Sequence, residues 1–160
     1  MWRWCILLTH GHFDHILELD DWRAKTNARV LVHEGDANSL LDSSQSCFMQ
    51  FYGVDKTFAP CDGFLAEGDV LPIGGEVLRV LYTPGHTQGS VCFEGDCFLL
   101  TGDTIFADGG IGRTDLPGGS LSALRISLKR ILAMQDNILL YPGHGATTSV
   151  AIERNNHLYL

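Results

Sequence analysis

The sequence predicts one α/β domain, and three features carry that expectation. Short apolar runs alternate with amphipathic stretches along the whole length. Histidines and aspartates sit directly behind several of those runs, where strands of open α/β sheets end and sites form. Glycines are plentiful beside them, 18 in 160 residues, as close approach of backbones requires.

Taken in order, residues 4–9 read as a short buried strand that runs straight into a histidine cluster. Residues 16–26 read as a helix, Arg29–His33 as a second strand and residues 36–41 as a short helix. Residues 43–62 lack clean periodicity and read as a connecting or lid segment carrying Phe48, Phe51, Tyr52 and Phe58. The middle is β-rich, with strands expected over 77–83, 90–94 and 97–101, the last two joined by a turn at Gly95 and Asp96. Leu121, Leu124, Leu128, Ile131 and Leu132 recur at helical spacing behind a capping Ser120. A strand over 138–141 and a short helix over 151–156 complete the chain. No linker, repeat or low-complexity tract divides it, so a single domain over 1–160 is expected.

Composition narrows the partners. The hydrophobic fraction is 45% and the charged fraction 19%, ordinary for a globular protein. A formal net charge of −8 argues against nucleic acid or an anionic membrane, which want clustered Lys and Arg. The five cysteines are odd in number and show no CxxC spacing, so reduced thiols and a cytoplasmic location are expected. Nothing in the chain has the pattern of a secretion leader or the length of a membrane-spanning helix.

The chemistry lies in four motifs. In THGHFDH, His10 and His12 stand two apart, where an extended backbone points both the same way, and Asp14 and His15 follow after a turn. His86 lies in TPGHTQGS, Asp103 in LLTGDTIF and His144 in YPGHGATT, each just behind an expected strand. His33 and His157 have no such setting and read as structural or surface residues. Five imidazoles and two carboxylates crowd one metal ion and suit two. With no cysteine in any motif, the donors fit two divalent ions, Zn²⁺ above all, with Fe or Mn²⁺ possible. A pair ~3.5–4 Å apart needs one bridging group, for which Asp103 is the natural candidate, and a water between them would ionise near neutral pH.

THGHFDH, PGHT, GDT and PGHG, in this order, resemble the metallo-β-lactamase superfamily of metallohydrolases, over essentially the whole chain. The resemblance implies an αβ/βα sandwich with the site at the edge between two sheets. It implies His10, His12 and His86 on a first metal and Asp14, His15 and His144 on a second, with Asp103 bridging. The stretch TIFADGGIGRTDLPGG and the C-terminal PGHGATTSVAIERNN are similar to the glyoxalase II-like (hydroxyacylglutathione hydrolase) branch. That branch implies a small-molecule thioester substrate such as S-lactoylglutathione. A bridging hydroxide would attack the carbonyl carbon, the metals would stabilise the oxyanion, and a thiolate would leave without a general acid. Asp14 would also orient the hydroxide.

Arg113 carries two readings. Glyoxalase II enzymes place a basic residue in this loop to hold a glutathione carboxylate, whereas here Arg113 could instead pair with Asp115 or another buried carboxylate to fix the loop. Asp115 stands where the family has a tyrosine, and its charge would repel a second carboxylate. Two rival functions follow from the same motifs. Persulfide dioxygenases share the GRTD loop but bind one iron, for which His10, His86 and Asp103 would be the ligands. A non-catalytic, metal-stabilised member is the other. Superfamily members usually carry further strands ahead of THGHFDH, so the sandwich is expected to be N-terminally shortened. Trp2 and Trp4 then precede a strand lacking its usual neighbours, and the chain is expected to be part of a longer protein or a homo-oligomer that covers this edge.

Overall fold

The computed structural model describes residues 4–157, which form two β-sheets packed face to face with helices on the outer side of each. The first sheet contains β1 (Cys5–Leu7), β2 (Arg29–His33) and β3 (Gly63–Leu65), all parallel, in that order. Helices α1 (Phe13–Ile16) and α2 (Leu19–Thr26) connect β1 to β2. A 3-10 helix (Glu34–Leu40) and α3 (Phe48–Tyr52) lie between β2 and β3. The second sheet runs in spatial order β4 (Val70–Ile73), β5 (Glu76–Tyr82), β6 (Val91–Glu94), β7 (Phe98–Gly102), β8 (Leu139–Pro142) and β9 (Thr148–Ser149). Only its β7–β8 pair is parallel, and α4 (Leu121–Leu132) makes the crossover that such a pair requires. Helix α5 (Val150–Asn156) follows β9.

The alternation of side chains along the strands builds the layers. On β2, Val30 and Val32 face the helices with Ile16, Leu19, Leu40 and Phe48, while Leu31 faces the other sheet. On β5, Leu78 and Val80 meet Leu65, Val91 and Phe93 between the sheets, while Leu81 turns to the outer helix layer. There α4 buries Leu124, Leu128 and Ile131 completely against Leu99 and Leu140. Each such side chain contributes about 1.5–3 kcal/mol. Ser120 caps α4 by accepting from the Ala123 amide at 3.3 Å, as its position before the apolar stripe requires.

The expected α/β sandwich is therefore the observed one, with local differences. The strand expected over 4–9 is Cys5–Leu7; Trp2 lies outside the described residues. The helix expected over 16–26 is two pieces. Glu18 leaves the helical region (φ −102°, ψ 14°), and the separate first turn carries Asp14 and His15. The segment over 43–62 contains α3. Strand β4 was not expected: it is an edge strand, contains Pro72 and leaves Val70 and Ile73 half exposed, so no apolar alternation marks it.

Candidate metal centre

Five of the seven motif histidines and aspartates sit where a strand ends. His10 and His12 follow β1, His86 follows β5, Asp103 directly follows β7 and His144 follows β8. His12 is still extended (φ −74°, ψ 153°), and α1 then coils at once and brings Asp14 and His15 round. The two sheets are tied at this edge by the Val91 amide, which donates to the Thr9 carbonyl at 2.8 Å. The Gly143 amide, donating to the Gly102 carbonyl at 2.8 Å, ties β8 to β7 in the same way.

The seven motif residues converge. His10, His12 and His86 form one group, His10, His15 and Asp103 a second, and Asp14, His15 and His144 a third; within each, the ligand atoms lie within 4.8 Å of one another. Asp103 stands between them. Its Oδ1 is 3.2 Å from His15 Nε2, and its Oδ2 is 3.7 Å from His86 Nε2 and 3.5 Å from His144 Nε2. Asp14 Oδ2 lies 2.9 Å from His144 Nε2. His33 and His157 stand apart: His33 stacks on Tyr82 at 4.3 Å, and His157 lies 3.9 Å from Glu153.

These donors fit a metal. His10 Nε2, His12 Nε2, His15 Nε2 and Asp103 Oδ1 are buried without a hydrogen-bond partner, a cost a fold accepts where a cation completes the site. A Cβ on Gly143 would overlap Asp103 Oδ1 and come within 2.7 Å of the His15 ring, so the space beside these donors is kept open by the absence of a side chain. The electrostatics agree. Burial, then the neighbouring imidazoles, holds His10 well below the ordinary imidazole range; burial and His86 bring His12 to about 4. Burial also lowers His86, only partly offset by the Arg113 carbonyl. All three are neutral ligands at pH 7. Burial pushes the Asp103 carboxyl up, but His15, His86 and His144 together outweigh it and keep it ionised. His15 is likewise desolvated, yet Asp103 and Asp14 leave it above its ordinary value.

His86 is held by the loop after β7. Its Nδ1 lies 2.8 Å from the Arg113 carbonyl, which can only accept, so Nδ1 donates and Nε2 is left for the cluster. The Arg113 side chain points away from that bond into a two-pronged pair with Asp115, Nε to Oδ1 at 2.8 Å and Nη2 to Oδ2 at 2.6 Å. A Cβ on Gly112 would run into the Asp103 carbonyl, which is why this loop can pass beneath the cluster.

Sequence reasoning missed Asp36, expected only as the start of a short helix. It is buried, and its carboxylate accepts from the Gly11 amide at 2.8 Å, the Gly89 amide at 2.7 Å and the Thr87 hydroxyl at 2.8 Å. It thereby clamps the loop between His10 and His12 to the loop behind His86. No local pattern marks such a residue; its partners lie 25, 51 and 53 positions away.

The model of the Metallo-beta-lactamase superfamily matches residues 5–144, a span that holds all seven converging residues. The chain belongs to that superfamily. Among superfamily relatives, it is 41% identical to "Probable metallo-hydrolase YqgX" of Bacillus subtilis, covering 97% of this chain and 74% of the relative. It is 31% identical to "Hydroxyacylglutathione hydrolase GloC" of Haemophilus influenzae, over 97% of this chain and 74% of that one. Among solved superfamily structures, BLEG-1 B3 metallo-beta-lactamase superposes with a TM-score of 0.90 at 34% identity, covering 97% of this chain and 76% of that one. TTHA1623 in a di-iron-bound form superposes with a TM-score of 0.80 at 32% identity, covering 98% and 77%. The fold is thus the superfamily's sandwich, and the chain is a metallohydrolase-type member of a metal-binding superfamily. Among the described residues no helix is long and apolar enough to cross a membrane.

Proposed function

We propose that this protein is a binuclear metallohydrolase that cleaves thioesters such as S-acylglutathiones. The observation that carries it is the placement of Asp103, within 3.7 Å of His15, His86 and His144, between two sets of donors. His10, His12 and His86 would hold one ion and Asp14, His15 and His144 the other, with Asp103 shared. The donor set of imidazole and carboxylate suits Zn²⁺, and the di-iron form of TTHA1623 makes iron the alternative to test. Such a pair supplies, when bound, Lewis acidity at the acyl oxygen and a water acidified to near neutral pH.

The chain's own residues do the rest. Asp14, a third exposed and 2.9 Å from His144, faces the open side and orients the attacking water. The buried, neutral His10, His12 and His86 keep the floor of the site free of protons that would compete for the donors. In the hydrolysis the water oxygen bonds to the acyl carbon, the C–S bond breaks, and sulfur departs with the electron pair as a weakly basic thiolate. That leaving group explains why the site needs no further acid. The name of the GloC relative supports the thioester, and Cys47, Cys61, Cys92 and Cys97, outside any disulfide, suit a reducing cytoplasm.

Metal analysis of the purified protein with a panel of thioesters, lactams and glutathione persulfide tests this. Two ions per chain and thioester turnover are expected. One iron per chain with oxygen uptake on the persulfide would replace this reading by the dioxygenase one; turnover of lactams alone would move the substrate class.

A further inference from the structure

The rim of the centre carries an aromatic wall that the ligand set does not use. Phe13 stands between His12 and Asp14 and stacks on Phe51, with ring centroids 4.8 Å apart and planes 29° apart. It meets Tyr52 edge-on at 5.5 Å. Arg113, whose carbonyl holds His86, lies with its guanidinium 6.0 Å from the Phe51 ring centroid. The wall is therefore continuous with the metal centre through both His12 and His86. Phe51 is 47% exposed, Tyr52 56% and Met49, on the same helix, 45%. So much aromatic surface beside a site is not needed for the core and points outward to a ligand.

Arg113, the cation over the Phe51 ring, is already matched. The Nε–Nη2 edge of Arg113, one of the two guanidinium edges that can fork onto a carboxylate, is taken by Asp115. Asp115, brought to about 2 first by its bond to Arg113, stays ionised at any pH where the enzyme could work. An incoming carboxylate would have either to displace Asp115 or to take the Nη1 side of the guanidinium beside that ionised group. With Asp14 on the same side and a net charge of −8 on the chain, the surroundings are unfavourable to anions.

We propose that the Phe13–Phe51–Tyr52 wall and the Arg113–Asp115 pair select thioesters with an apolar, uncharged acyl group on an uncharged thiol, and disfavour thiols that carry a carboxylate. This inference rests on the thioester reading above and narrows it: glutathione thioesters are turned over, but their carboxylates gain no anchor. Aromatic and long apolar acyl groups lie on Phe51 and Tyr52, with the guanidinium plane as an adjoining stacking surface.

The test compares kcat/KM of the metal-loaded enzyme for acetyl and phenylacetyl thioesters, each on N-acetylcysteamine and on glutathione. Phenylacetyl should exceed acetyl by about tenfold, in line with pocket discrimination between apolar groups. N-acetylcysteamine should serve at least as well as glutathione. Phe51→Ala should lower the phenylacetyl-to-acetyl ratio toward one. Asp115→Asn, which frees Arg113, should raise the glutathione-to-N-acetylcysteamine ratio by about tenfold, the discrimination of one opened charge contact. Both positions are exposed, so the variants are expected to fold. A tenfold preference for glutathione that disappears in Arg113→Ala would overturn the inference, as would an acyl ratio unmoved by Phe51→Ala. Those outcomes leave thioester hydrolysis standing. No turnover of any of the four thioesters would instead remove the thioester reading, and the inference with it.

Discussion

Asp36 accepts the Gly89 amide at 2.7 Å, joining residues 53 positions apart and holding the loop behind His86 against the loop of His10 and His12. The remaining capacity of the same carboxylate goes to Gly11 and Thr87. Burial pushes its carboxyl up, and the three bonds offset that only in part. The group is thus retained at a cost, and the benefit is the fixed spacing of the two loops.

Asp36→Ala should therefore weaken metal binding as well as the fold. It leaves two buried amides unsatisfied, about 1–3 kcal/mol each. Loss of a supporting residue of this kind typically lowers metal affinity by about 10–100-fold. Urea unfolding and competitive chelator titration measure the two effects separately. Unchanged affinity in a destabilised variant would show that Asp36 serves folding alone.

Asp103 and Arg113 should behave oppositely toward metal. Asp103→Ala removes the group that the proposed arrangement shares between both donor sets, so bound metal should fall and hydrolysis should drop by at least about a hundredfold. Arg113→Ala removes an exposed pair with Asp115 and the contact with Phe51 but keeps the carbonyl that orients His86, and metal content should be unchanged. Full occupancy with near-normal turnover in Asp103→Ala would refute the shared-ligand arrangement.

Gly143→Ala should disturb the centre more than the fold. The added methyl would overlap Asp103 Oδ1 and crowd His15, while the backbone of β8 beside it keeps its bonds. Metal stoichiometry should fall with little change in the melting temperature of the metal-free protein. A variant that binds both ions normally would mean that the cradle has slack.

Acid should destabilise the metal-free protein through its histidines. His10, His12 and His86 have folded-state values below that of the unfolded chain, ~6.5. The unfolded chain therefore binds more protons, and their contribution is present above ~6.5 and lost as pH falls toward about 4, the value for His12. His15 has the opposite sign: its contribution is full in acid and fades as pH rises through its raised value. Three groups against one give a net loss on acidification. The urea midpoint of chelator-treated protein should drop between pH 7 and 5, and less so in His12→Asn.

Much of this protein was legible in its sequence, because the residues that announce the chemistry are local. THGHFDH, PGHT, GDT and PGHG each hold their donors within a few positions, and each follows an apolar run long enough to be a strand. Spacing thus placed His10, His12, His86, Asp103 and His144 at strand ends, with Asp14 and His15 on the turn that follows His12. The stripe behind Ser120 and the runs of β5 to β8 were legible for the same reason: burial on one face imposes a period. Strand β4 was not, since an exposed edge strand with Pro72 has no face to imprint. What only the tertiary structure decided are the relations between distant segments. Asp36 is an unremarkable acid in sequence and becomes a clamp once two loops close on it. Arg113 could have reached for a ligand or for Asp115, and the folded loop turns its fork to Asp115 while its carbonyl orients His86. Phe13, Phe51 and Tyr52 become one wall only when α3 folds back over the turn after His12. A periodic pattern records what one element buries; which side chains meet across elements is fixed by packing, and no local spacing encodes it.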